Sequence, residues 1–325
     1  PPPPPPPPPP FFLMIRRPPT STLTSSSAAS DVYKRQQYLR ENPRITYVEP
    51  DDPWLVQKLT SSIEVIFGRR RLERIYRELK KTPFSVETFF DEAFRNTGIT
   101  PNLNLEQIDK IPREGRLVFV ANHPFGLVDG MTLCKIALLA RGDFKILINS
   151  LLCQDKDLAP YFLPIDFANS KTAIKNNIEV KKAAKRSIEA GVPVLIFPSG
   201  MVSTADRGGF GKVRELPWTT FAAKLIKETQ AEVVPVYFSG GNSRRFHLAS
   251  HFAEPLRMAL LLNEVVKRFD KPVVTEIGDT IPWSELEKFE TRQDLTDFLY
   301  RSVQSLAISP ALSSEKQARF SNKLA

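Results

Sequence analysis

The chain has 325 residues, a net charge of +9, 42% hydrophobic residues and two cysteines. That length holds one large domain, or a domain with an appendage. No apolar run reaches the roughly 18 residues of a membrane-crossing helix. Cys134 and Cys153 lack metal-type spacing and make no disulfide framework, and no basic–aromatic alternation marks a nucleic-acid partner.

The chain opens on ten prolines, followed by FFLMIRRPPTSTLTSSSAASDVYKRQ at residues 11–36. A proline tract reads as polyproline II or linker. The apolar part, Phe11 to Ile15, is too short for a signal peptide. The stretch has neither helical nor strand period and resembles a translated sequencing adapter, so residues 1–36 are expected to be an artefactual or disordered tail. They carry Arg16, Arg17, Lys34 and Arg35 against Asp31, or +3, which leaves +6 on the rest. That balance suits a protein that meets membrane headgroups or anionic substrates.

Residues 37–98 form an N-terminal helical region. Within 54–81, Leu55, Leu59, Ile63, Ile66 and Phe67 fall near helical spacing, as do Leu72, Ile75, Tyr76 and Leu79. Gly68 interrupts the pattern, which allows one helix or two. Arg69, Arg70, Arg71, Arg74, Arg77, Lys80 and Lys81 give it a basic face. An apolar stripe beside a basic face fits a helix lying on a membrane surface; it equally fits a solvated helix packed on the main domain. Residues 86–95, with Val86, Phe89, Phe90 and Phe94, predict a further short helix.

From residue 115 short apolar runs alternate with helical ones. Strands are expected at 116–121, 144–148, 192–197, 232–238 and 272–277, and helices at 129–140, 173–190, 217–229, 255–269 and 291–308. Nearly continuous apolar strand interiors mark strands covered on both faces. The alternation defines an α/β fold with a mixed, largely parallel central sheet flanked by helices. The catalytic domain is expected over 99–308, with a polar tail over 309–325.

The stretch VANHPFGLVDG, residues 120–130, carries the chemistry. It holds one of only three histidines, His123, at the end of an apolar strand. Ligand sites in open α/β sheets lie at the carboxyl ends of strands. A histidine with an ordinary pKa of about 6.5 can act as a base near neutrality. A nearby carboxylate would hold its tautomer and stabilise the imidazolium. Pro124 and Gly126 favour a compact turn that folds Asp129 back towards His123. The plainer alternative makes Asp129 a helix cap and His123 a loop residue. His247 and His251 are four apart, but no H-E-x-x-H pattern accompanies them, so no metal is expected. The elbow G-x-S-x-G is missing, because Ser199 stands between Pro198 and Gly200; there is no G-x-G-x-x-G or P-loop.

Three further stretches extend the pattern: INSLLCQDKDLAPYFLPID (148–166), VLIFPSGMVST (194–204) and the V-P-V of residues 234–236. In this order, over roughly residues 100–280, the set resembles the glycerolipid acyltransferase family. The form N-H-P-x-G-x-x-D-G, Asn122 to Gly130, resembles a bacterial branch labelled hemolysin or lyso-ornithine-lipid acyltransferase. Five residues separate His123 from Asp129 where the family commonly has four. The third block, usually F-P-E-G-T-R-S, has Ser199 for the acid and Met201-Val202 for Thr-Arg.

The resemblance implies an O-acyltransferase that moves a fatty acyl group from acyl-CoA or acyl carrier protein to the hydroxyl of a lyso-lipid, of 1-acylglycerol-3-phosphate or lyso-ornithine type. His123 would be the general base and Asp129 its orienting carboxylate. Asn122, Phe197, Pro198, Ser199 and Gly200 would line the substrate site, and Arg207, Lys212 and Arg214 would supply positive charge beside it. Backbone N–H groups of the Phe197–Met201 turn, or near Gly126, would face the developing oxyanion. No cofactor is implied. The enzyme would work as a peripheral protein on the cytoplasmic face of the membrane, with residues 54–81 and apolar surface such as 256–262 for attachment. Two other readings stay open at this point. One is a non-catalytic, membrane-active lipid-binding protein of hemolysin type; the other is a lipid esterase or thioesterase.

Overall fold

The structure, a computed structural model, describes residues 46, 53–66, 68–153, 155–166, 171–205, 213–249 and 254–308. The adapter-like stretch, the polar tail, Arg207, Lys212 and His251 lie outside them. The helical region from residue 54 is a pair of helices, α1 (Trp54–Ile66) and α2 (Arg69–Leu79), followed by α3 (Val86–Thr97). Gly68 parts the first two, with φ +109°, which an L side chain rarely adopts. The buried carboxylate of Glu64 in α1 receives the Arg69 guanidinium at 3.1 Å and locks the corner.

The main body follows as β1 (Thr100–Asn102), α4 (Leu105–Asp109), β2 (Leu117–Ala121), α5 (Leu127–Arg141), β3 (Lys145–Asn149), β4 (Phe162–Ile165), α6 (Lys171–Glu189) and β5 (Val194–Ile196). Then come β6 (Thr204–Ala205), β7 (Val213–Arg214), α7 (Phe221–Thr229), β8 (Glu232–Phe238), α8 (Arg244–Ala249), α9 (Glu254–Lys267), β9 (Pro272–Ile277), α10 (Trp283–Leu286) and α11 (Arg292–Ser305). Seven strands form one sheet in the order β1-β9-β8-β2-β5-β3-β4. All neighbours are parallel except β8 and β9. The sheet is therefore mixed and largely parallel, as the strand pattern implied.

β2 lies in the middle because its side chains are apolar on both faces. Leu117, Phe119 and Ala121 join a core with α2, α3, α5 and α9; Val118 and Val120 join a second core with α6, α7 and α11. The alternation is that of any strand, and it makes three layers of the domain. Pro235 sits inside β8, a strand interior that normally rejects proline. Its carbonyl accepts Gly278 N–H at 2.9 Å, just where the β8–β9 ladder ends, so the missing donor falls at the margin of that ladder. Cys134 and Cys153 are free and buried, and burial pushes both thiols up.

Two expectations need correction. The predicted helix 217–229 starts only at Phe221, because Thr219 is tied to Pro198 instead. The stretch 256–262 is not apolar surface where its side chains are described: Leu260, Leu261 and Leu262 of α9 are buried. The outward apolar face belongs to α1, which buries Thr60 and Glu64 and exposes Trp54, Leu55, Leu59 and Ile66.

Candidate active site

β2 ends at Ala121, beside the ends of β5 and β8. The turn that follows is fastened at once. The Asn122 amide donates to Phe238 O at 2.9 Å and accepts Phe238 N–H at 2.7 Å. Gly126 then takes φ +82° and ψ −118°, a glycine conformation, and a Cβ there would meet Val202 Cγ2 at 3.2 Å. This reversal lets α5 begin at Leu127.

Asp129 is the third residue of α5, so its carboxylate reaches back over the open N–H groups of the helix start. Oδ2 accepts Phe125 N–H at 2.7 Å and Gly126 N–H at 3.0 Å. The same oxygen lies 3.2 Å from His123 Nδ1. Asp129 is therefore both the helix cap and the partner of His123; the two readings describe one residue. The contact is a close approach of ring nitrogen and carboxylate whose geometry falls short of a hydrogen bond. Burial pushes the Asp129 carboxyl above its ordinary range, opposed by His123 and the two N–H donors.

His123 is held from every side. Its side chain is 17% exposed, against 0% for Asp129. The ring stacks on Phe197, centroids 3.9 Å apart and planes 23° from parallel. Its N–H donates to Glu215 Oε1 at 2.8 Å, and its carbonyl accepts Ser203 N–H at 2.8 Å. Nδ1 is the ring nitrogen turned to Asp129, and Nε2 points away from it.

The F-P-S-G block leaves β5 directly under this ring. Pro198 O accepts both the N–H and the hydroxyl of Thr219, at 3.0 and 3.1 Å. Ser199 is buried, and its hydroxyl donates to Met201 O at 2.9 Å with Glu215 Oε1 at 3.4 Å. Gly200 N–H donates to Phe197 O at 2.9 Å. Among the expected oxyanion donors, the N–H groups of Gly126 and Gly200 are engaged, by Asp129 and Phe197 O. Asn122 also has both amide atoms committed to Phe238, which makes it a fastener of the turn. Arg214 is exposed on β7, opposite Thr204.

Three charged residues at the site escape a reading of the sequence. Glu215 carries its second oxygen to Trp218 Nε1, 2.9 Å away, and burial raises its carboxyl. Arg257 is buried and donates to Val202 O at 3.0 Å. Arg268 lies over the Phe125 ring at 4.2 Å and acts electrostatically on Asp129. None has a motif around it. The one local hint for Glu215 is an acid set directly before the apolar Leu-Pro-Trp. His247, by contrast, is a core residue of α8. Among the described residues no group of three or more His, Cys, Asp or Glu is placed to hold a metal.

A parallel strand thus brings a histidine to a helix-cap carboxylate above an F-P-S-G turn, and an acyltransferase family model matches residues 66–286. The chain belongs to the glycerolipid acyltransferase family and is an O-acyltransferase. It is 29% identical over 212 residues to the lyso-glycine lipid O-acyltransferase of Phocaeicola vulgatus, covering 63% of this chain and 73% of the relative. It is 30% identical over 214 residues to the enzyme of the same name from Bacteroides thetaiotaomicron, covering 63% and 75%. A similar solved structure is the 1-acyl-sn-glycerophosphate acyltransferase PlsC of Thermotoga maritima, at 17% identity and a TM-score of 0.44, covering 78% of this chain and 92% of that one. Family membership decides for a transferase over a non-catalytic lipid binder or a hydrolase.

Proposed function

We propose that the protein transfers a fatty acyl group from an acyl thioester, acyl-CoA or acyl carrier protein, to the hydroxyl of a lyso-lipid. The observation that carries this is His123 Nδ1 lying 3.2 Å from a fully buried Asp129 carboxylate, at the carboxyl end of the central strand. In this reading Nε2 removes the acceptor hydroxyl proton as the oxygen attacks the thioester carbonyl. Asp129 holds the ring and stabilises the imidazolium; a positioned base is worth about 10²–10⁴ in rate. The tetrahedral intermediate then collapses, the C–S bond breaks, and the imidazolium proton goes to the leaving thiolate. Ester and thiol are formed, and the histidine returns to neutral.

The two bacterial relatives named for lyso-glycine lipid favour an acceptor of that kind. A third block without the family's usual acid and arginine is consistent with a headgroup other than glycerol phosphate. Delivery from a membrane surface is supported by α1, whose Trp54, Leu55, Leu59 and Ile66 face outward, beside exposed Arg70, Arg74 and Arg77 of α2. No described helix is long and apolar enough to cross a membrane. We place the protein on the cytoplasmic face, where acyl thioesters are made.

The test is a labelled acyl-transfer assay with both donors. The acceptors are lyso-glycine lipid, lyso-ornithine lipid, lysophosphatidic acid and none, with His123→Ala beside the parent chain. Acylated lyso-glycine lipid that disappears in the variant is the expected result. Transfer that survives His123→Ala overturns the base assignment, and free fatty acid without acylated lipid overturns the acceptor.

A further inference from the structure

Where the family's third block has an acid, this chain has Ser199, yet a carboxylate reaches that place from another part of the chain. Glu215 follows β7 and is 92 residues from His123 in sequence. Its Oε1 accepts the His123 N–H at 2.8 Å and lies 3.4 Å from the Ser199 hydroxyl; its Oε2 accepts Trp218 Nε1–H at 2.9 Å. Three segments, the β2 turn, the F-P-S-G turn and the stretch before α7, thus converge on one carboxylate. An exposed loop acid has no reason to make such contacts. A half-buried one keeps its charge where donors surround it.

We infer that Glu215 is a positioning residue for acyl transfer, fixing the main chain of His123 and placing a second negative charge behind the imidazole. This rests on the reading of His123 as the base. Asp129 faces the ring nitrogen and Glu215 faces the backbone of the same residue, so a proton arriving on the ring meets two carboxylates. The attraction between His123 and Glu215 is mutual; it pulls the Glu215 carboxyl down against the larger upward push of burial. The other charged groups packed around the turn are Arg268, against Phe125 and Asp129, and Arg257, on Val202 O.

The test compares Glu215→Gln, Glu215→Asp and His123→Ala in the acyl-transfer assay across pH, with thermal unfolding of each. Glu215→Gln keeps the shape and one acceptor oxygen but loses the charge. The expected result is kcat lower by about tenfold or more with KM little changed, and the acid limb of kcat/KM moved to lower pH. Glu215→Asp, which restores the charge at a shorter reach, should recover part of the rate and return the limb towards its original place. A Glu215→Gln enzyme with the parent rate and limb overturns the inference, as does a loss that appears only in KM or only in step with unfolding. If Glu215→Gln does not fold, Trp218→Phe takes its place, since it loosens the carboxylate without removing it: a smaller fall in kcat supports the inference and an unchanged kcat overturns it. His123→Ala separates the two levels. An active His123→Ala sinks the base assignment itself; an inactive one beside an unaffected Glu215→Gln sinks only the role of Glu215.

Discussion

Replacing Asp129 with Asn should separate what the site needs from what the fold needs. The side chain is fully buried; Oδ2 accepts Phe125 N–H and Gly126 N–H and lies 3.2 Å from His123 Nδ1. An asparagine can place its carbonyl oxygen there and keep both backbone bonds, so the helix start survives. What it loses is the charge that orients the ring and balances the imidazolium. One charge-assisted hydrogen bond is worth about 1.5–3 kcal/mol, or about 10- to 150-fold in kcat at 1.36 kcal/mol per factor of ten. If the ring also turns to its other tautomer, the loss grows towards about 10⁴.

Stability moves the other way. A carboxyl raised by burial binds its proton more tightly when folded than when unfolded. The parent chain therefore loses stability as pH rises from the ordinary carboxylate range through the raised value, and is level above it. The Asn variant lacks that loss, so its Tm should equal or exceed the parent's at pH 7–8, and the advantage should shrink on acidification. The assay is kcat from acyl transfer paired with thermal unfolding between pH 4 and 8. Retention of kcat within about twofold would refute the orienting role, since even the weakest charge-assisted bond predicts more. A Tm fall beyond about 4 °C at neutral pH, on the order of 1–2 kcal/mol for a chain of this size, would refute the reasoning on burial.

Two other substitutions test the turn. Gly126→Ala must hold a side chain at φ +82°, with its Cβ 3.2 Å from Val202; about 1–3 kcal/mol of destabilisation is expected, with a parallel fall in kcat, seen by unfolding and turnover. Asn122→Ala strands the N–H and carbonyl of Phe238 at the buried end of β8. Loss of about 2–4 kcal/mol in denaturant unfolding is expected, from two buried groups left unpaired.

The central strands were legible because β2, β5 and β8 are apolar on both faces, and periodicity needs nothing else to find them. His123 and Asp129 were legible because a strand end, a proline, a glycine and an acid stand in one short stretch. β1 was not, since Thr-Pro-Asn has no strand character and exists by pairing with β9. β4 hid in the stretch 148–166 because Pro164 breaks its pattern. Glu215 was invisible for a different reason: its partners are set by tertiary closure, and a lone acid before Leu-Pro-Trp reads as an ordinary loop. The apolar stripe of α1 left two readings open, a membrane-facing helix or one packed on the main domain, and the outward Trp54, Leu55, Leu59 and Ile66 are what the first requires.

The main chain around His123 is clasped from downstream: Ser203 and Glu215 hold its own carbonyl and N–H, and Phe238 holds Asn122, 116 residues further on. On a ribosome adding about 5–20 residues per second, Phe238 follows Asn122 by on the order of ten seconds. During that interval the nascent chain possesses His123 and Asp129 but no frame for them. Catalytic competence is thus a late event in the life of each molecule, arriving with long-range closure rather than local folding.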